Sequence, residues 1–199
     1  MRKLSKYLFI YLFTFFLLDA SLGKYLYKKF IKIQAKDINT NVWESDEFYD
    51  HKFIKNYNDL AGWGSTRFRL CTDNNRFKIP CSKKIKNNKS FDIGFIGDSF
   101  TEGVGLIYEK TYVGQIADSL KDKSIANLAV SSYSPSVYYT KIKNLLDNDY
   151  KFKEIIVFVD ISDLIDDTLC YKVENDKIIR RKNFKSCWSN FNEQKNFID

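Results

Sequence analysis

The sequence predicts an α/β fold with three layers around a parallel sheet, and the pattern after residue 90 is what predicts it. Three short apolar runs have the length of buried strands, and the two stretches between them repeat apolar residues at helical spacing. Strands that alternate with helices in this way form parallel sheets. In chain order the five segments are Phe91–Gly97, Thr111–Lys121, Ser124–Val130, Pro135–Asp147 and Glu154–Val159.

Each segment carries its own signal. Pro135 suits the first turn of a helix, where its missing N–H is not needed. Glu154–Val159 (EIIVFV) is a continuous apolar run of the kind that is buried on both faces of a sheet. After these elements, Tyr171–Arg180 predicts a hairpin that turns at Asn175-Asp176. The first predicted helix has its apolar face at Val113, Ile116, Ala117 and Leu120.

The N-terminus has an apolar run, Tyr7–Leu18, which follows the basic residues Arg2, Lys3 and Lys6. Its twelve residues are short for a membrane span, which needs about 20. The pattern is typical of a signal peptide or signal anchor. We therefore expect residues 1–23 to be such a segment, with membrane contact through residues 4–22. The domain would then face the periplasm or cell exterior, or be secreted if the N-terminus is cleaved.

The net charge of +7 does not indicate a nucleic-acid-binding protein. Residues 1–36 contain eight basic residues and one acidic residue, which leaves 24 of each sign in residues 37–199. The excess is therefore confined to the N-terminal segment, and no helix-turn-helix, zinc-finger or RNA-binding signature accompanies it. We expect no nucleic-acid partner.

Residues 24–89 are interpreted as a basic juxtamembrane segment and an irregular lead-in to the domain of residues 90–199. The lead-in contains short strands such as Thr66–Leu70 and an exposed connector at Ser82–Lys89. No two cysteines have metal-site spacing. Two local disulfides, Cys71–Cys81 and Cys170–Cys187, are allowed by the sequence and would fit an exported domain; four unpaired thiols are equally allowed.

Polar, reactive side chains follow all three predicted strands. Gly97-Asp98-Ser99 follows the first strand, Ser131-Ser132 the second, and Asp160-Ile-Ser-Asp163 the third. In parallel α/β sheets, ligands bind at the carboxyl ends of the strands. The sequence therefore predicts that a site forms at this edge.

The residues around Ser99 resemble the nucleophile block of the SGNH/GDSL hydrolases. Gly97-Asp98-Ser99 lies between an apolar strand and the sequence Phe-Thr-x-Gly-x-Gly, and the resemblance covers about residues 90–167. It implies a parallel sheet of SGNH type, which is flavodoxin-like, with Ser99 as the nucleophile. A looser similarity at Phe68–Phe77 is to membrane-anchored members that occur with bacterial cell-surface polysaccharide genes.

Two further blocks of the family match in part. Asn127–Ser132 resembles the second block, with Ser132 in place of the usual glycine; its backbone N–H can still stabilise an oxyanion. Asp160–Asp163 falls where Gly-x-Asn-Asp is expected, and Ser162 there replaces the usual amide donor with a hydroxyl. The resemblance thus implies an oxyanion hole formed by Ser99, Ser132 and Ser162 and supported by Asp98, Asn127 and Asp163.

The general base of the family has no counterpart in this sequence. The resemblance implies a histidine in an Asp-x-x-His motif after the third block, and nothing from Asp167 to Asp199 matches that motif. The one histidine, His51, is interpreted as a solvated loop residue. Two explanations stay open: the chain is the N-terminal part of a longer hydrolase, incomplete at its C-terminus, which we expect, or it is a degenerate domain.

The aspartates also have a structural interpretation. Asp98 suits a turn in which its side chain accepts hydrogen bonds. The spacing of the later aspartates does not match an EF-hand loop, so they are interpreted as part of a loop and a helix N-terminus. We expect neither a metal nor a cofactor. The later aspartates are Asp160, Asp163, Asp166 and Asp167.

Together these observations predict an ester hydrolase or acyltransferase that acts through an acyl-Ser99 intermediate. By resemblance, the substrate would be a small-molecule or carbohydrate ester, such as an acylated cell-envelope carbohydrate. The alternative is a catalytically inactive SGNH-like binding or assembly module at the membrane, which keeps the fold without the base.

Overall fold

The computed structural model describes residues 2–23, 25–26, 42–63, 66–82 and 88–181. The chain divides into two compact units, Met1–Ile38 and Asn39–Asp199, which are described separately. Nearly all of the predicted basic segment and most of the predicted connector lie outside the described residues, as does Cys187 of the second predicted disulfide.

The first unit contains helix α1, Arg2–Leu18, which continues as a π-helical turn over Asp19–Gly23. The hydroxyls of Thr14 and Ser21 donate to carbonyls one turn earlier, so the helix satisfies these polar groups internally, as an apolar environment requires. By length and composition, Lys6–Gly23 could cross a membrane or serve as a signal sequence. The helix and its π-helical turn, Arg2–Gly23, extend beyond the predicted apolar run, Tyr7–Leu18, at both ends.

The lead-in is more regular than predicted, because it forms two antiparallel hairpins. Strands β1 (Trp43–Asp46) and β2 (Asp50–Phe53) form the first hairpin. Strands β3 (Asn58–Trp63) and β4 (Thr66–Cys71) form the second, which confirms the strand expected at Thr66–Leu70. A disulfide joins Cys71 to Cys81, one of the two pairs that the sequence allowed.

The predicted parallel sheet is present, with three strands in the order β6-β5-β7 and both pairings parallel. Each predicted helix between the strands is present as well, and a hairpin follows. The strands are β5 (Ser90–Ile96), β6 (Ile125–Asn127) and β7 (Lys151–Val157). The helices are α2 (Ser99–Glu102), a 3-10 turn (Tyr108–Lys110), α3 (Tyr112–Ser119), α4 (Pro135–Asp147) and α5 (Ile161–Cys170), and the hairpin is β8 (Tyr171–Glu174) with β9 (Lys177–Arg180).

Alternate residues of the sheet pack into two apolar clusters. Phe95 of β5 packs with Val113 of α3, whereas the next residue, Ile96, belongs to the main core. Because successive side chains of a strand point to opposite faces, both faces of the sheet carry packed apolar groups. The main core also contains side chains of α4 and of both lead-in hairpins, among them Val137, Tyr138, Phe53, Phe68 and Leu70.

Strand β7 differs from its prediction. Its apolar run was expected to be buried on both faces, but Val157, Phe158 and Val159 are each more than two-fifths exposed. The reason is topological: among the described residues, β7 pairs only with β5 and is therefore an edge strand. Pairing with β5 also begins earlier than predicted, where Lys151 lies opposite Ser90.

Candidate active site

Ser99 is the first residue of α2, directly after the end of the central strand β5. Asp98 caps this short helix, because its Oδ1 accepts from the Phe100 N–H at 2.9 Å. Its Oδ2 accepts from the Ser99 hydroxyl at 3.1 Å. The expected role of Asp98 as an acceptor in a turn is therefore confirmed, and the half-buried Ser99 hydroxyl is held at the carboxyl edge of the sheet.

Close packing at Gly97 explains why a glycine must directly follow strand β5. A Cβ at this position would lie 2.1 Å from Thr101 Oγ1 and 3.1 Å from the Phe158 carbonyl oxygen. Thr101 lies in α2, so the missing side chain lets the helix fold back tightly against the strand end. This tight turn fixes where Ser99 begins the helix.

The second strand end is joined to the same helix by two buried contacts. Glu102 Oε2 accepts from the Ser131 N–H at 2.6 Å and from the Ser131 hydroxyl at 2.7 Å. Asn127 Nδ2 donates to the Thr101 carbonyl at 3.0 Å, and its Oδ1 accepts from the Ala129 N–H. The Asn127 side chain thus links the end of its own strand to α2, and its predicted supporting role stays a prediction.

Ser132 has a backbone conformation that favours glycine. Its φ is +64°, and the Tyr133 N–H donates to the Val130 carbonyl at 3.3 Å, so residues 130–133 form a tight turn. Ser132 is the third residue of this turn and has positive φ, whereas Ser131, the second residue, does not. This combination is the pattern of a type II turn. A glycine at this position would adopt the same φ without the strain of a side chain.

His51 is not the solvated loop residue that the sequence suggested. It lies in β2, is 1% exposed, and packs edge-on against the Tyr133 ring. Its Nε2 is 2.8 Å from the Ser131 carbonyl oxygen, and its Nδ1 is 2.7 Å from Asp50 Oδ2. The prediction failed because a contact across 80 residues leaves no local sequence pattern. Both ring nitrogens are occupied by acceptors, so neither is available to Ser99 as a base.

Asp50 carries its charge in this arrangement. Burial by itself raises the pKa of Asp50, but the hydrogen bond from His51 and the charges of His51 and Arg180 bring it below its ordinary value. Arg180 of β9 donates from Nε to Asp50 Oδ1 at 3.1 Å and from Nη2 to Asp50 Oδ2. A charged carboxylate accepts only, so the proton between Asp50 and His51 belongs to the ring.

Three further ionisable side chains, Glu102, Lys78 and Lys141, are buried in the domain. Burial raises the pKa of Glu102, although Lys78 and Ser131 oppose the shift. Burial lowers the pKa of Lys78 to about 8 and that of Lys141 to about 7. Each ammonium donates to backbone carbonyls, Lys78 to Gly103 and Leu106, and Lys141 to Leu128. Buried charges of this kind must stay paired and hydrogen-bonded, so they constrain the surrounding backbone strongly.

The third strand end forms the N-terminus of α5. Asp160 Oδ1 accepts from the N–H and the hydroxyl of Ser162, and from the Asp163 N–H. Asp163 Oδ2 accepts in return from the Asp160 N–H at 2.9 Å and from the Tyr138 hydroxyl at 2.8 Å. The hydroxyl of Ser162 is thus directed at Asp160, and its predicted place in the oxyanion hole stays a prediction.

The other two aspartates lie away from this helix start. Asp166 and Asp167 are inside α5, so the interpretation of them as part of a helix N-terminus is wrong. Asp167 instead holds the first turn of α4, where its carboxylate accepts from the Ser134 hydroxyl and from the N–H and hydroxyl of Ser136.

Three carboxylates meet where the first and third strand ends converge. Ligand oxygens of Asp98, Asp160 and Asp163 lie within 4.8 Å of one another, and among the described residues they are the set that could hold a cation. Each of the three carboxylates already accepts backbone N–H groups at a helix start. Burial and the neighbouring Asp98 and Asp160 charges raise the pKa of Asp163 to about 6. A proton on Asp163 therefore relieves the repulsion among the three carboxylates, as a bound cation would.

Sequence reasoning missed Glu102, His51 and Lys141 as parts of this site. Lys141 could have been found, because it falls between Val137 and Leu145 on the buried face of α4 at helical spacing. Glu102 follows Ser99 by three residues and gave no other signal. No family model, curated protein or solved structure matches the chain, so the assignment of function depends on the residues of the site itself.

Proposed function

We propose that this chain carries the nucleophile and oxyanion hole of a membrane-tethered serine hydrolase or acyltransferase of SGNH type. The observation that supports it most is the placement of Ser99 at the carboxyl end of the central parallel strand, on a helix joined through Glu102 to the Ser131–Ser132 turn. Apolar packing on both faces of the sheet is consistent with the three-layer arrangement of such enzymes.

The chemistry proceeds through a covalent ester on Ser99. As a base takes the hydroxyl proton, Ser99 Oγ forms a bond to the carbonyl carbon of the substrate ester. The carbonyl oxygen becomes an oxyanion that accepts hydrogen bonds from the Ser99 and Ser132 N–H groups. The carbon–oxygen bond to the alcohol then breaks, and the alcohol leaves with the proton. Water or an acceptor hydroxyl attacks the acyl-Ser99 carbonyl and releases the enzyme.

The base in this proposal is not His51, because Asp50 and the Ser131 carbonyl occupy both of its ring nitrogens. The family role belongs to a histidine in an Asp-x-x-His motif, which residues 1–199 do not contain. We therefore assign the base to no side chain among residues 1–199.

The location and substrate class follow from two further observations. The Cys71–Cys81 disulfide fits an oxidising compartment, which favours the periplasm or cell exterior for the domain. The apolar helix over Lys6–Gly23 fits a tether or an export signal. A tethered esterase in that compartment meets acylated carbohydrates of the cell envelope, and we propose these as the substrate class.

A fluorophosphonate tests the nucleophile in the protein as its native cell produces it. The Ser99 oxygen would bond to phosphorus and displace fluoride, which leaves a stable adduct. We expect labelling of the wild-type protein and of Ser119→Ala, an exposed serine in α3, and none of Ser99→Ala. Equal labelling of all three proteins, or of none, would exclude Ser99 as an activated nucleophile.

A second function, a binding or assembly module without catalysis, is favoured by one observation: among the described residues, the Ser99 hydroxyl donates to Asp98 and no histidine contacts it. An absence of labelling in the native protein would favour this module.

A further inference from the structure

The turn at residues 130–133 has an alternative conformation that its sequence would favour. Type I and type II turns differ mainly by a flip of the central peptide, here the Ser131–Ser132 peptide. A type I turn would place Ser132 at negative φ, whereas the observed φ of +64° is unfavourable for a residue with a side chain. Something must therefore hold the Ser131–Ser132 peptide in the orientation observed.

Three buried side chains hold the three successive peptides of this turn. Glu102 accepts from the Ser131 N–H, which fixes the peptide before Ser131. His51 donates to the Ser131 carbonyl, which fixes the central peptide. The Tyr171 hydroxyl donates to the Ser132 carbonyl at 2.9 Å, which fixes the peptide after it. The central peptide is the one whose flip interconverts the turn types, and His51 is its partner.

We propose that His51 is a positioning residue for the oxyanion hole. A trans peptide directs its carbonyl and its N–H in opposite directions. By holding the Ser131 carbonyl, His51 therefore directs the Ser132 N–H to the other side of the turn, where the oxyanion would form. This inference depends on the proposed function, and it gives the single histidine a role other than that of general base.

The Ser131 carbonyl oxygen can only accept, so Nε2 of His51 donates to it. A hydrogen bond to a peptide carbonyl polarises that peptide, which makes the Ser132 N–H a better donor to an anion.

Two substitutions separate the contacts of His51. In His51→Gln, the side-chain amide can reach the position of Nε2 and still donate to the Ser131 carbonyl. In His51→Asn, the shorter amide can replace Nδ1 toward Asp50 but cannot reach Ser131. Both variants remove the ring that packs on Tyr133, and each keeps one of the two hydrogen bonds, so their difference shows whether labelling depends on the Ser131 contact or on the Asp50 contact.

The rate of fluorophosphonate labelling of Ser99 in the native full-length protein tests the proposal. Losing one oxyanion donor costs about 100-fold to 1,000-fold in rate, so we expect His51→Asn to label at least about 10-fold more slowly than His51→Gln. Circular dichroism establishes that both variants are folded. Equal labelling rates of two folded variants would overturn the positioning role.

Nitrogen-15 NMR of the wild-type His51 ring tests the proposal if a variant does not fold. We expect Nε2 to carry a proton, with a coupling from Nε2–H to the Ser131 carbonyl carbon. A ring that lacks the Nε2 proton would overturn it. The two proposals remain distinguishable: if the wild-type protein does not label, the enzyme proposal fails, while the NMR result still decides whether His51 holds the turn.

Discussion

Glu102 accepts two hydrogen bonds from Ser131, one from its N–H at 2.6 Å and one from its hydroxyl at 2.7 Å. The pair joins the helix that begins at Ser99 to the turn that contains Ser132, across 29 residues of sequence. Glu102 is 1% exposed and is attracted to the buried Lys78 ammonium. The relative positions of Ser99 and the Ser131–Ser132 turn therefore depend on the buried Glu102 carboxyl group.

Replacing Glu102 should destabilise the domain strongly. Glu102→Ala leaves two buried donors of Ser131 without their acceptor and removes the charge that compensates Lys78, so we expect a loss of about 3 to 5 kcal/mol. Glu102→Gln keeps one acceptor oxygen and should lose less. Urea unfolding measures the difference, with Glu109→Ala, at an exposed glutamate, as the control. A loss below 1 kcal/mol in Glu102→Ala would contradict the role assigned to this pair.

Ser132→Gly should stabilise the folded domain. Glycine adopts positive φ without the strain of a side chain, although it also makes the unfolded chain more flexible. We expect a net gain of about 0.5 to 1 kcal/mol in the free energy of unfolding. Ser132→Ala keeps a Cβ at φ +64° and serves as the matched control, with no gain expected. If both variants have the same stability in urea unfolding, the strain argument is wrong.

Gly97→Ala should disturb both stability and labelling. Its Cβ would lie 2.1 Å from Thr101 Oγ1, so α2 must move away from the strand end. We expect a loss of about 1 to 3 kcal/mol, as for overpacked sites, and slower labelling of Ser99. In Gly94→Ala the new Cβ meets only side-chain atoms of Phe152 and Leu128, the nearest at 3.0 Å. We therefore expect a smaller loss of stability in Gly94→Ala than in Gly97→Ala. Thermal unfolding and the rate of Ser99 labelling are measured for both variants, and Gly97→Ala should be the more affected in each.

The stability of the domain should depend on pH through Asp163. Burial raises the pKa of the folded-state carboxyl to about 6, from 3.8 in an unperturbed aspartate. Its protonated form favours folding, so its contribution is complete below pH 3.8 and is lost as the pH rises through about 6. Relative to Asp163→Asn, the wild-type protein should lose roughly 1 to 2 kcal/mol between pH 4 and pH 7.

Urea unfolding of the wild-type protein and Asp163→Asn at several pH values measures this difference. Asp118→Asn, at an exposed aspartate in α3, is the control and should follow the wild-type protein at every pH. A constant difference between the wild-type protein and Asp163→Asn over this range would show that Asp163 is not perturbed.

The parts of the fold that were predictable from the sequence are those with local signals. Helix α4 has the predicted bounds, Pro135–Asp147, because a proline opens it and apolar residues repeat at helical spacing. The hairpin turn at Asn175-Asp176 was also correct, since both residues adopt the positive φ that such turns need. Strand β7 overlaps its predicted range but begins three residues earlier, at Lys151. Its exposure was not predicted, because the number of neighbouring strands cannot be read from its own sequence.

The candidate site was predictable only in its strand ends. Ser99 and Asp98 lie in a local motif, and the structure places them together as expected. The residues that hold the turn come from distant segments: His51 is 80 residues from Ser131, and Arg180 is 130 residues from Asp50. A buried ion pair between such segments has no periodicity that a sequence pattern could reveal. The burial of His51 was therefore visible only in the folded chain.

The measurement that most directly tests the account is peptide mapping of the fluorophosphonate adduct on the unmutated native protein. Mass spectrometry locates the modified residue without a substitution that could disturb the fold. We expect one adduct, on Ser99, in the peptide that contains Gly97-Asp98-Ser99. An adduct on another serine, or none on a folded protein, would contradict the assignment of Ser99 as the nucleophile.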